Sequence, residues 1–252
     1  MSQVVSTRTR HLDVERVRLF AVPIAVAAGL AVSYAIYRSI SGSLADDQVL
    51  TQDFLLGRLV EHLYLSGLSF ALVAAIGVPV GVAIAGAGRR VRIPVFLLAN
   101  LGQAVPGIGF LVLLYAFLGL GVEPTVIALV AYGTLPVLRN TVAGIQGVDP
   151  AAVEAARGMG MTRAQALIRV QLPLASPLIL AGLRTSLVLI IGTATLGSFI
   201  GGGGLGVVIA SGINISNRII FVGAVMVAAL ALLADWALSL VERIVVPRRI
   251  ST

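Results

Sequence analysis

The sequence predicts an all-α polytopic membrane protein with about six transmembrane helices, and three observations carry that reading. Of 252 residues, 58% are hydrophobic and only 12% charged, with a mean hydropathy of +1.02; soluble domains carry about 25% charged residues. Several apolar runs, rich in Ala, Leu and Val, continue over the roughly 20 residues that span a hydrocarbon core of about 30 Å, where barrel strands would alternate over about ten. The arginines gather in every second connection between these runs.

The first predicted span runs from Leu19 to Tyr37, with Arg8, Arg10, Arg16 and Arg18 before it. Its length exceeds the 7–15 apolar residues of a typical signal peptide. A retained helix is therefore favoured, although Ser43-Leu44-Ala45 could mimic a cleavage site. Ser39 to Glu61 reads as an external segment, acidic at Asp46, Asp47 and Asp53, with room for a short amphipathic surface helix. The second span is Leu63 to Gly86, followed by Arg89, Arg90 and Arg92. The third is Ile93 to Leu118 and holds Pro106, which can kink it. The fourth, Thr125 to Ile145, precedes a long connection bearing Arg157, Arg163 and Arg169. The fifth is Pro177 to Ile200, and the sixth, Ile219 to Val241, follows a Gly/Asn/Ser-rich connection, Gly201 to Asn217. All these arginine groups, with Arg243, Arg248 and Arg249, then fall on one side. The other side receives Arg38, Arg58 and Arg218. Positive residues favour the cytoplasm, so both termini are expected there.

Composition also excludes function classes. There is no cysteine, so no thiol or disulfide chemistry exists. His11 and His62 are far apart, lack metal-ligand spacing and read as interfacial polar residues; no metal site is expected. The net charge of +7 is supplied by arginine alone. In so apolar a chain it points to anionic lipid headgroups and topology rather than nucleic acid. Without lysine the chain cannot form a phosphate-binding loop G-x-x-x-x-G-K-[ST]. No catalytic residues are expected, and ATP and Mg, if they power the function, belong to a separate ATPase.

The long connection, 149–173, carries the most information. Asp149 suits a helix N-cap, Pro150 the first helical position, and Glu154 the early turns. Ala151, Ala152, Ala155 and Ala156 make a slim helix that Gly158 and Gly160 break. A second helix, Arg163 to Val170, turns Ala166, Leu167 and Val170 to one face, and Pro173 ends it. The result is a compact two-helix knob.

Glu154, Ala155 and Ala156, then Gly160, then Leu172-Pro173 fit the pattern E-A-A-x3-G-x9-I-x-L-P, with Val170 in place of isoleucine. The loop thereby resembles the EAA motif of binding-protein-dependent ABC importer permeases. Asn100 to Pro106, Leu135 to Thr141, Glu154 to Thr162 and Ser198 to Gly206 are similar to the osmoprotectant branch, which serves glycine betaine, choline and carnitine. Residues 103–108, Q-A-V-P-G-I, depart from that branch's usual Q-T-I-P-S-L. The resemblance implies a type I importer transmembrane domain (MetI-like), with an N-terminal region over residues 1–61, a permease core over residues 62–242 and a tail over residues 243–252. It implies that the knob is a coupling helix seated in an ABC ATPase, with Glu154, Ala155, Ala156, Arg157, Gly158, Gly160, Leu172 and Pro173 as coupling residues. The implied partners are two ATPases, an extracytoplasmic solute-binding protein, a second permease subunit and membrane lipids.

Other polar residues in spans are costly and tend to face protein or water. Gln103, Pro106, Asn140 and Thr195 are candidates for lining or gating the pathway. Arg139 and Arg184 can snorkel, or Arg139-Asn140 can brace the coupling loop; Asp235 can pair with an arginine. Gly201, Gly202, Gly203, Gly204 and Gly206 read as an external loop for close approach to a partner, since no strand–helix opening surrounds them as nucleotide binding requires. The leading reading is an ATP-driven permease for a quaternary amine. A permease of the same family for another small solute stays open, as does an ion-gradient-driven secondary transporter, which would favour internal repeats not evident here.

Overall fold

The computed structural model describes residues 21–35, 37, 39 and 50–245, and among them every regular element is a helix. Arg8, Arg10, His11, Arg16, Arg18, Arg38, Ser43 to Ala45, Asp46, Asp47, Arg248 and Arg249 lie outside the described residues. The first expected span is described as α1, Ala21–Ala35.

Helix α2, Gln52–Ala85, is 34 residues long. Thr51 caps it by accepting from the Phe54 N–H at 3.4 Å. At 1.5 Å per residue it extends about 51 Å, well beyond a hydrocarbon core. Residues 52–61 are therefore not a separate surface helix but the first turns of the span. Phe54, Leu55 and Leu59 hold them there, packed against buried Leu205, Val208 and Ile219.

The third expected span is two helices, α3 (Arg89–Ala104) and α4 (Gly107–Leu118), bent by 99°. Pro106 lacks an N–H, and its ring forces Val105 out of the helical region, to φ −75 and ψ 130. Beyond α5, Val122–Gln146, comes the knob: α6 (Pro150–Gly158) and α7 (Arg163–Ala166). Contrary to expectation, Pro173 ends nothing. From α7 a π-helical turn, Leu167–Gln171, runs straight into α8, Leu172–Ala194, and a 3-10 turn, Thr195–Ile200. The whole run spans 38 residues. Pro173 sits in the first turn of α8, and Leu172 N–H reaches back to the Leu167 carbonyl across the widened turn. The wide turn absorbs the position where proline offers no donor. The Gly201–Asn217 connection contains a further helix, α9 (Leu205–Ile215), before α10, Asn217–Val245.

Four of these helices are long and apolar enough to cross a membrane, and the bent α3–α4 pair brings the count to five if taken as one span. Helix α5 is the centre, packed along both α2 and α8, which also touch each other. Small residues let the axes approach: a Cβ on Gly81 of α2 would lie 2.7 Å from Thr141 of α5, and one on Gly182 of α8 would lie 2.6 Å from Asn140. Lipid tails give little hydrophobic drive for helix association, so this close packing holds the bundle together.

Candidate functional site

The knob stands at one end of the bundle. Asp149 caps α6 by accepting from the Ala151 N–H at 2.9 Å, and Pro150 occupies the first turn as expected. The helix ends in a complete glycine cap: Met161 N–H donates to the Ala156 carbonyl at 3.2 Å and Gly160 N–H to the Arg157 carbonyl at 2.9 Å. Gly160 takes φ +85, a left-handed conformation that glycine adopts freely. Gly158 does not break the helix; it is its last residue and has no positive φ. Thr162 and Gln165 then form a reciprocal capping box that starts α7.

One face of this pair is anchored. Val153 and Leu167 pack on the cluster of Ile84, Val142, Ile145, Val148 and Ala175, and Ala156 and Ala166 are buried. Gln146 donates to the Ala85 carbonyl at 2.8 Å and joins the ends of α2 and α5 beneath it. Ala166, Leu167 and Val170 face inward, as their spacing predicts. The other face is open: Glu154, Ala155, Arg157, Gly158, Met159, Gly160, Arg163 and Arg169 are exposed. Leu172 is half-buried and Pro173 exposed. Since α3 begins beside the same cluster through Val95 and Phe96, Arg89, Arg90 and Arg92 share this end, which is rich in arginine.

The pathway candidates are brought together only in part. Gln103 donates from Nε2 to the Tyr132 carbonyl at 2.8 Å, and the Tyr132 hydroxyl donates to the Val105 carbonyl at 2.5 Å. These two bonds tie the Val105–Pro106 break to α5. Arg139 does not brace the knob; it donates to Asn100 Oδ1 at 2.8 Å and so holds α3. Asn140 donates within its own helix to the Pro136 carbonyl at 2.9 Å and packs over Gly182. Thr195 donates to the Gly192 carbonyl at 2.7 Å. Replacing Tyr132 by phenylalanine deletes one bond of the clamp while keeping its ring against Phe110. Its expected cost is about 1 kcal/mol, read as a lower melting temperature of the detergent-solubilised protein; an unchanged temperature would show that the clamp contributes nothing.

Arg184 of α8 and Asp235 of α10 form a two-pronged ion pair, Nε to Oδ1 and Nη2 to Oδ2, and thereby bolt these helices together. The pairing expected for Asp235 is present.

At the opposite end the glycine loop is mostly turned inward. Gly202, Gly204 and Gly206 are buried, and only Gly201 is exposed. A Cβ on Gly203 would lie 2.5 Å from Glu61 Oε2, and one on Gly204 would lie 3.0 Å from His62 Nδ1. The close approach expected of this loop is thus first of all to the chain's own helices. His62 is wholly buried, not interfacial. Its Nε2 donates to the Ile191 carbonyl at 3.0 Å and its Nδ1 accepts from Leu205 N–H at 3.3 Å. These two partners fix its tautomer, with the proton on Nε2. Sequence reading missed this knot of His62, Glu61 and the glycines.

Taken together, the central α5 packed against both α2 and α8, the broken α3–α4 span and the anchored, open-faced knob define a multi-pass helical permease of the type I ABC importer fold. The inward-facing MetNI methionine ABC transporter shares that fold, with a TM-score of 0.69 and 22% identity over 79% of this chain and 100% of that one. The chain belongs to the family described as binding-protein-dependent transport system inner membrane component, whose profile matches residues 77–246. Among its relatives, the glycine betaine/carnitine/choline transport system permease protein OpuCB of Bacillus subtilis is 42% identical over 199 residues, 77% of this chain and 89% of that protein. The carnitine transport permease protein OpuCD of Listeria monocytogenes is 41% identical over 191 residues, 74% of this chain and 84% of its own length.

Proposed function

We propose that this chain forms the translocation pathway of an ATP-driven importer for a small osmoprotectant quaternary amine such as glycine betaine, choline or carnitine. The observation that carries the mechanism is the fusion of the open-faced knob to one 38-residue helical run. A displacement at α6–α7 is passed along α8 to the far end of the bundle without a hinge loop between. In this reading an ATPase subunit grips Glu154, Ala155, Arg157 and the Gly158–Gly160 bend, with exposed Pro173 beside it, while Ala156 and Leu172 fix the knob to the bundle. The arginine-rich end lies in the cytoplasm, with both termini, following the positive-inside bias. The glycine end faces a solute-binding protein outside. The names of the relatives support the solute class. ATP and Mg reside on the partner, because a chain without lysine has no phosphate-binding loop.

The permease core 62–242 pairs with a second permease subunit, and the Gln103–Tyr132–Val105 clamp sets the bend that borders their shared path. The test is reconstitution of the full chain with its ATPase and binding protein in proteoliposomes. Uptake of labelled glycine betaine, choline or carnitine is expected to require all three components and ATP hydrolysis. Uptake driven by an ion gradient without the ATPase would overturn the proposal in favour of a secondary transporter.

A further inference from the structure

At the end opposite the knob, the first turns of α2, the start of α5 and the glycine loop frame a half-open cavity of about 250 Å³. Arg58, Glu61, Tyr64 and Val122 line it, together with Gly201–Gly203. Its two charges sit side by side: Arg58 Nη1 donates to Glu61 Oε2 at 2.7 Å. The Glu61 carboxylate is held in place by a second donor, Gly204 N–H at 2.8 Å. Arg58 is steadied by the Phe54 ring, 5.4 Å away. Tyr64, by contrast, is 59% exposed, a large aromatic face at the mouth of the cavity.

This lining selects by charge. A lone anion, including an acidic side chain of a docking protein, meets Arg58 but is repelled by Glu61. A lone cation meets the reverse. A small molecule that carries both charges satisfies both, with its carboxylate on the guanidinium and its ammonium toward Glu61 and the Tyr64 ring. A quaternary ammonium has no N–H to donate and gains instead from an aromatic face. The glycines leave backbone, not side chains, as the opposite wall, and the volume suits a solute rather than a peptide segment.

We infer that this cavity is a low-affinity receiving site for zwitterionic quaternary amines, through which the permease itself prefers a betaine over a simple cation. The inference rests on the transport reading above and adds a selectivity filter to it. Because the cavity is built within one chain, each permease copy carries its own.

The test uses the full chain assembled with its ATPase in lipid nanodiscs, without binding protein, titrated with labelled glycine betaine and labelled choline. Saturable glycine betaine binding is expected, with choline about tenfold weaker or more, the scale of one charge-assisted hydrogen bond. Arg58→Gln is expected to erase that preference. Tyr64→Ala, at an exposed position outside the bundle core, is expected to weaken both ligands and leave the protein folded. Absence of saturable binding to the wild-type complex, or an unchanged preference in both variants, would overturn the inference. If, in a parallel arm with the binding protein added, the variants weaken its capture but leave solute binding intact, this face is a docking surface and the inference is overturned. If the wild-type complex imports quaternary amines normally in the proteoliposome assay above while these nanodisc results fail, only the receiving site falls. If it imports none, the transport reading itself falls.

Discussion

Alanine at position 206 is expected to leave little folded protein in the membrane. A Cβ on Gly206 would collide with the backbone carbonyl of Thr195. Most overpacked sites relax by moving a side chain; here the obstacle is main chain, in the 3-10 turn Thr195–Ile200 that closes the end of the α8 run. That turn is itself pinned, since Gly121 N–H donates to the Ile200 carbonyl at 2.8 Å and Gly202 N–H to the Gly197 carbonyl at 2.8 Å. Shifting it would also pull Leu205 from His62 Nδ1. Overpacking costs about 1–3 kcal/mol in ordinary cores and more where nothing can give. A loss of at least about 3 kcal/mol is therefore expected at this site. Gly192→Ala is the control, on the neighbouring helix α8 just before the turn, with open space for its Cβ. Yield of monodisperse protein and melting temperature separate the two. If Gly206→Ala behaves like Gly192→Ala, the glycine loop is not the packed joint described here.

The legible features of this protein are those governed by the bilayer and by local chain chemistry. Apolar length marked α2, α5, α8 and α10, because lipid demands helices of that extent whatever their neighbours. Capping chemistry marked the knob: Asp149-Pro150 and Gly160 act through bonds within a few residues of themselves. The misreadings arose where a local change of helix type, or a partner distant in sequence, decides the outcome. Pro173 looked like a stop, but a π turn upstream absorbs the missing donor, and nothing in L-I-R-V-Q announces that turn. Pro106 looked like a kink and proved a 99° corner, because Gln103 and Tyr132 hold both sides of it. The glycine run, read as a surface for others, also has partners within the chain, Glu61 and His62, some 140 residues earlier. A signal for that knot did exist. His62, Ser66, Ser69, Val73, Gly77 and Gly81 recur at helical spacing and are all buried. In a span otherwise built of large apolar residues, such a stripe of small and polar side chains marks the face turned to protein rather than lipid.

Valine at position 160 is expected to abolish coupled transport while leaving the bundle intact. At φ +85 a non-glycine residue costs about 1–2 kcal/mol, and a β-branched one is a genuine outlier. The cheapest escape is to rotate the bend and lose both cap bonds, Met161 to Ala156 and Gly160 to Arg157. The angle between α6 and α7 then changes, and the exposed surface of Glu154, Ala155 and Arg157 no longer matches a rigid groove. Because that surface is exposed and the anchoring side chains lie on the opposite face, the damage stays outside the membrane. At least about a tenfold fall in solute-stimulated ATP hydrolysis is expected from a docking loss of about 1.4 kcal/mol or more, with unchanged expression and melting temperature. Gly158→Ala separates joint from surface. Its φ is ordinary, its Cβ would meet open space, and alanine favours the helix by up to about 1 kcal/mol. A hinge whose geometry matters tolerates alanine at 158 and fails with valine at 160. If both variants fail alike, the glycines act as a flat contact patch, and the motor reads the surface instead of the angle. If both transport at the wild-type level, the knob is not where the push enters, and the long α8 run has no role in carrying it.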